Sequence, residues 1–141
     1  MPDLPTRRFG RTELPIPLLS LGGMRFQQSW TDLPASEITS DSQSNLQATL
    51  QRATQLGLHH VETARHYGSS ERQLGWAIPT TPDSKRILQS KVPPREDPDA
   101  FEAELALSFE RLGCQRLDLL AIHGINLPEH LDQTLRPGGC M

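Results

Sequence analysis

A parallel α/β fold of four strands and three helices, preceded by a short β-hairpin, is what this sequence predicts. Three observations carry that expectation. Short apolar runs alternate with amphipathic helical segments in the order β, α, β, α, β, α, β, which implies a parallel sheet with right-handed crossovers. The strand ends fall near Gly23, Glu62, Lys91 and His123. They lie roughly 30–40 residues apart, close to the ~30 per unit of a (β/α)8 barrel of ~250 residues, so four strands make half of one. No GxGxxG follows the first strand, so a dinucleotide-binding doubly wound sheet lacks its main marker.

Each element has its own signal. Residues 7–16 read as a hairpin about the turn Gly10-Arg11-Thr12-Glu13, with Pro15 and Pro17 keeping its second run at an edge. Leu18–Leu21 reads as the first buried strand and exits at Gly22-Gly23, where a side chain is missing either for close approach or for a tight turn. Gln27–Gln43 has neither hydrophobic period, and a loop that long is usually functional or disordered. Its large aromatic, Trp30, either faces a substrate or pins the loop, and pinning is favoured slightly.

Leu46, Leu50, Ala53 and Leu56 fall on one face of a helix over 44–56, closed by Gly57. The second strand is His59–Glu62. Ser70 and Gln73 have the spacing of a capping box at the start of a helix reaching Ala77. Ile87–Val92 is the third strand, ended by Pro93-Pro94. Asp97-Pro98 is an N-cap followed by an N1 proline, and that helix runs to Leu112 with Gly113 behind it. Leu117–His123 is the fourth strand. The stretch 124–137 is mostly polar, and the rhythm of the earlier units leads one to expect further helix and a fifth strand around there.

The chain has 141 residues, enough for one domain with a real core. A net charge of −3 argues against a nucleic-acid or anionic-membrane surface. No window approaches the ~18 apolar residues of a membrane span. Cys114 and Cys140 form no CxxC, so reduced thiols in a cytoplasmic protein are expected. His59, His60 and His66 lie close in sequence, but strand alternation separates the first two, and no metal site is expected.

The chemistry gathers at the strand ends. HHVETARHYG runs from strand to loop and carries Glu62 and, five residues on, Tyr67; Lys91 and His123 end the next two strands. Adjacent strands lie ~5 Å apart, so these groups can converge. A phenol with an ordinary pKa near 10 is a poor proton donor at neutral pH, and a neighbouring ammonium makes it a better one by stabilising the phenolate. A carboxylate beside the lysine holds it charged, and a histidine can orient a carbonyl oxygen. The set suits protonation of a carbonyl oxygen while hydride arrives from elsewhere. The plain alternative is a structural Lys91–Glu62 ion pair.

Four pieces, FGRTELPIPLLSLGGM, VETARHYGSSERQLG, ILQSKV and RLDLLAIH, together resemble the N-terminal half of an aldo-keto reductase, in order and spacing over nearly the whole chain. The resemblance implies a (β/α)8 barrel closed below by an N-terminal hairpin, here an incomplete domain over 1–141 with its first four barrel strands in 18–141. It implies NADPH (NADP) as cofactor and a small aldehyde or ketone as substrate. It maps three of the family's catalytic tetrad to Tyr67, Lys91 and His123. The family's aspartate position holds Glu62, one methylene longer. Gly22, Gly23 and Met24, with Glu62, are assigned to the nicotinamide rim.

In that family the second half of the barrel supplies most contacts to the cofactor's phosphates and adenosine. A chain with half a barrel is therefore expected to be a truncated member, inactive alone, that associates through its open edges. Two alternatives stand beside it. One is a non-catalytic fragment or interaction module, and the other an aldolase-like barrel using Lys91 as a Schiff base.

Overall fold

A computed structural model describes residues 4–141. Strands β1 (Thr6–Arg8) and β2 (Pro15–Pro17) form an antiparallel hairpin, Thr6 facing Pro17 and Arg8 facing Pro15. A 3-10 turn at Gly10–Thr12 connects them, and Glu13 completes it in the left-handed region at φ 60°. Strands β3 (Leu21–Gly22), β4 (His60–Glu62), β5 (Ile87–Val92) and β6 (Leu119–Ile122) form one parallel sheet in that order. Helices α1 (Ser40–Gln55), α2 (Ser70–Ala77) and α3 (Pro98–Leu112) are the crossovers, and α4 (Pro128–Leu135) follows β6. This is the expected parallel α/β architecture, with hairpin and four strands in place.

Four local expectations need correction. The first strand is not Leu18–Leu21 but Leu21–Gly22, and Leu18 and Leu19 are 55% and 59% exposed. The Leu18 amide donates to Pro5 O at 2.9 Å, so this run prolongs the hairpin instead of joining the sheet. Helix α1 begins four residues before Ser44, at Ser40, because the Thr39 hydroxyl caps it by accepting from the Ser42 amide at 3.3 Å. Its first turn is polar and so shows no apolar period.

The capping box at Ser70 does not form. Ser69 is the N-cap, and Ser70 Oγ instead donates to Gly23 O at 2.9 Å. Finally, the stretch after β6 holds the further helix, making four α-helices among the described residues, but no fifth strand of the sheet. Pro128 starts α4 at a position where a missing N–H costs nothing. Its apolar residues Leu131 and Leu135, with Leu127 just before it, stay exposed.

Alternation sorts the sheet into two faces. Val61 and Leu88 point outward into a core with Leu46 and Leu50 of α1, Leu74 and Ala77 of α2, and Leu112 of α3. Leu46, Leu50 and Leu74 are wholly buried, worth roughly 1.5–3 kcal/mol each. The opposite face carries His60, Glu62, Gln89 and Lys91. At its lower end Ile16 of the hairpin packs on Ile87 and Leu119, with Leu14 beside them. The hairpin thus closes the bottom of the sheet, and β3 and β6 each have one sheet neighbour.

Candidate active site

The upper rim of the inner face gathers the four residues singled out at the strand ends. Glu62 ends β4 and Lys91 sits one residue from the end of β5. Glu62 pairs with Gln89, so Lys91 lies two residues further along its strand on the same face. The Lys91 ammonium contacts the Glu62 carboxylate directly, and both side chains are mostly covered. The same Nζ lies 4.7 Å from the centre of the Tyr67 ring, a cation over an aromatic face. The His123 ring stands edge-on to Tyr67, with centroids 5.4 Å apart and planes at 89°. His123 follows β6, and its amide donates to Val92 O at 2.8 Å, which extends the ladder to the rim.

Burial and charge tune these groups. Burial lowers the pKa of Lys91 from its ordinary value, and the touching Glu62 carboxylate works in the opposite sense. His123 is lowered by burial first, then by the charges of Lys91 and His66. It is therefore a neutral imidazole at pH 7, with one N–H to donate and one nitrogen to accept. His60, one layer below, is lowered mainly by burial. It is held by Ser20 Oγ at 2.7 Å and Gln89 Oε1 at 3.0 Å, and so floors the site.

The glycines at the end of β3 differ. A Cβ on Gly22 would sit 3.8 Å from Glu62 Oε2, in ordinary contact, so the rim beside the carboxylate is open there. A Cβ on Gly23 would lie 2.8 Å from Ser70 Oγ and 3.0 Å from Glu62 O and Thr63 Oγ1, so this glycine serves the packing of β3 on the start of α2. Met24 is 36% exposed. The three histidines close in sequence do not meet. His59 pairs with Asp83 at 2.8 Å, His60 lies inside, and His66 stands at the rim 3.5 Å from Glu104. Among the described residues no three metal-ligating groups cluster.

The loop over 27–39 lies against this rim, but Trp30 does not pin it: the indole is 67% exposed. Pinning falls to Gln28, which binds Ser69 Oγ, Glu37 O and the Thr39 amide at 3.2, 2.8 and 2.8 Å. Asp32 adds ion pairs to Arg65 at 2.6 Å and to Arg111 at 3.1 Å. Sequence reasoning missed the group to which Arg65 belongs. Arg65 also pairs with Glu71, which is fully buried, and Glu71 accepts from Ser90 Oγ at 2.6 Å. A signal was present: Ser90 is a polar residue between Leu88 and Val92 on the strand's apolar face.

A model of the aldo/keto reductase family matches residues 18–136. The chain belongs to the aldo/keto reductase family. Solved aldo-keto reductases share its fold. A Pseudomonas aeruginosa protein assigned to the aldo-keto reductases superimposes with a TM-score of 0.73 at 24% identity, covering 96% of this chain and 56% of its own. The thermostable aldo-keto reductase Tm1743, solved with the inhibitor epalrestat, gives 0.71 at 25%, covering 93% and 49%. A Klebsiella pneumoniae aldo/keto reductase, solved with NADP and acetate, gives 0.65 at 22%, covering 93% and 45%. Among curated proteins none matches. The chain thus spans about half the length of the solved aldo-keto reductases it resembles, as a partial (β/α)8 barrel. Among its described residues no helix is long and apolar enough to cross a membrane.

Proposed function

We propose that this rim is the proton-transfer half of an NADPH-dependent carbonyl reductase site, reducing small aldehydes or ketones to alcohols. The observation that carries the reading is the meeting of Lys91 with Glu62, Tyr67 and, through Tyr67, His123. Tyr67 gives its phenolic proton to the carbonyl oxygen. Lys91, its ammonium over the ring, stabilises the phenolate left behind. Glu62 keeps Lys91 charged and in place. Neutral His123 donates its N–H to the carbonyl oxygen and fixes its direction. The open rim at Gly22 and Met24, beside Glu62, fits the nicotinamide end of the cofactor, which when bound supplies the hydride.

Held as an ammonium by Glu62, Lys91 offers no free lone pair, which weighs against the Schiff-base alternative. The experiment is to assay residues 1–141 within a completed eight-stranded barrel for NADPH oxidation by a panel of aldehydes and ketones. Carbonyl-dependent oxidation that Lys91→Met abolishes is expected, and its absence across the panel would overturn the reading.

The Glu62 contact makes a sharper prediction. Glu62→Gln removes the charge that steadies Lys91 and should lower turnover, whereas Glu62→Asp keeps it and should be tolerated or improve. Steady-state rates of the two variants decide. Free exchange with Gln would mean that the carboxylate serves structure only.

Residues 1–141 alone should behave differently. Hydride transfer needs the nicotinamide held against the substrate carbon, and such proximity can be worth roughly 7–11 kcal/mol of barrier. With half the length of its relatives, and with open edges at β3 and β6, the isolated chain should bind NADPH weakly or not at all. It should show no turnover and should self-associate. Sedimentation and a fluorescence titration with NADPH check this. A monomer with micromolar affinity and reductase activity would show that half a barrel suffices.

A further inference from the structure

We propose that Arg65 is a positioning residue for Tyr67. It is the hub of a buried ionic cluster that locks the Tyr67 loop, the strand bearing Lys91 and the 27–39 loop into one rigid block. This rests on Tyr67 being the acid of the site.

Arg65 lies two residues before Tyr67 and is 6% exposed, yet its guanidinium meets two carboxylates from different parts of the chain. One arm reaches Glu71 in the first turn of α2. Glu71 is wholly buried, and its second oxygen accepts from Ser90 Oγ at 2.6 Å, on β5 next to Lys91. The other arm reaches Asp32 at 2.6 Å, and Asp32 is held in turn by Arg111 of α3 at 3.1 Å. The backbone agrees, because the Arg65 amide donates to Lys91 O at 2.8 Å. A planar fork with fixed donor directions is suited to bridging two carboxylates in this way.

A second, independent contact closes the same block. Gly68 sits at φ 50°, and a Cβ there would run into the backbone of Ser29, so the 27–39 loop lies directly on the residue after Tyr67. Ser90 lies on the outer side of β5 with Leu88 and Val92, and Arg65 and Glu71 are buried with it. Arg65 therefore acts through Tyr67 and not on a substrate. What it fixes is the placement of the phenol against Lys91 and His123.

Tyr67 is the only tyrosine in the chain, so a ring-labelled tyrosine gives one set of NMR signals. The test uses residues 1–141 at concentrations below those at which sedimentation shows association. The wild-type signals should lie away from the free-tyrosine position, displaced by the His123 ring 5.4 Å away. Arg65→Met should return them to the free position, and Arg65→Lys should hold them most of the way. Arg8→Met breaks only the exposed hairpin pair with Glu13 and should leave them unmoved. If Arg65→Met loses its far-ultraviolet helix signal, Asp32→Asn carries the test. It cuts one partly exposed arm and must move the signals in the same direction.

A folded Arg65→Met, or a folded Asp32→Asn in its place, with the signals at the wild-type position overturns the proposal. So does a wild-type chain whose signals already sit at the free position. No turnover is needed for any of these readings, so they stand apart from the assay of carbonyl reduction.

Discussion

Tyr67→Phe, made in a completed barrel, should lower turnover by roughly 10²–10⁴-fold, the range for loss of a general acid. Affinity for NADPH should change little. The substitution removes one oxygen and leaves the ring, so the edge-on contact with His123 and the cation above its face both persist. What is lost is the proton that neutralises the oxygen as hydride arrives. Single-turnover rates and a fluorescence titration separate the two effects. Turnover near the wild-type level would move the acid elsewhere, with His123 as the next candidate by position. A loss shared equally between turnover and cofactor binding would instead mean that the hydroxyl also helps to hold the cofactor.

The largest expected effect on stability is that of Glu71→Leu. Glu71 is wholly buried and is bound by Arg65 and Ser90. Leucine in its place leaves the Arg65 guanidinium with only the Asp32 arm and Ser90 Oγ with no acceptor. Breaking one side of a buried pair costs about 3–5 kcal/mol, mostly because the other charge stays behind. Domains are stable by about 5–15 kcal/mol in all, so the variant should lose a substantial part of its margin. Urea unfolding followed by circular dichroism measures it. The double variant Arg65→Met/Glu71→Leu should recover part of the loss, because no buried charge is then stranded. A double variant worse than Glu71→Leu alone would mean that packing, not charge, sets the cost.

The sequence carried the fold well wherever period and punctuation agreed. Over 98–112 an acidic cap, an N1 proline and a closing glycine bracket an apolar stripe, and α3 has those bounds. Over 87–92 a β-rich run ends at two prolines, and β5 has the same bounds. The signal failed where tertiary partners override local ones. Leu18 and Leu19 read as core because they are apolar, but the amide of Leu18 already belongs to the hairpin. Ser70 reads as a cap because of its spacing to Gln73, but a carbonyl from the end of β3 takes its hydroxyl. Helix α4 was legible only from the rhythm of the units, because its leucines stay exposed and its other positions are polar.

The site divides in the same way. Glu62, Lys91 and His123 were visible because each sits at or next to a strand end, and Tyr67 because it lies on the loop that follows one, positions that topology alone makes meaningful. The cluster of Arg65, Glu71, Ser90, Asp32 and Arg111 was not. Its members come from five segments, and only the packed chain brings them together. In a list of residues, a buried arginine looks like a surface one.

The strand order β3–β4–β5–β6 also has a consequence in time. Within this sheet each strand after β3 pairs with the strand made just before it, so each new unit docks on a neighbour already made. Each pairing must still close its crossover first, which is the entropic cost that makes parallel sheets slow to form. During synthesis from the N-terminus, Glu62 and Tyr67 emerge first, then Lys91, and His123 arrives with β6. The four groups proposed to handle the proton would thus come together on a nascent chain in the order in which they are translated.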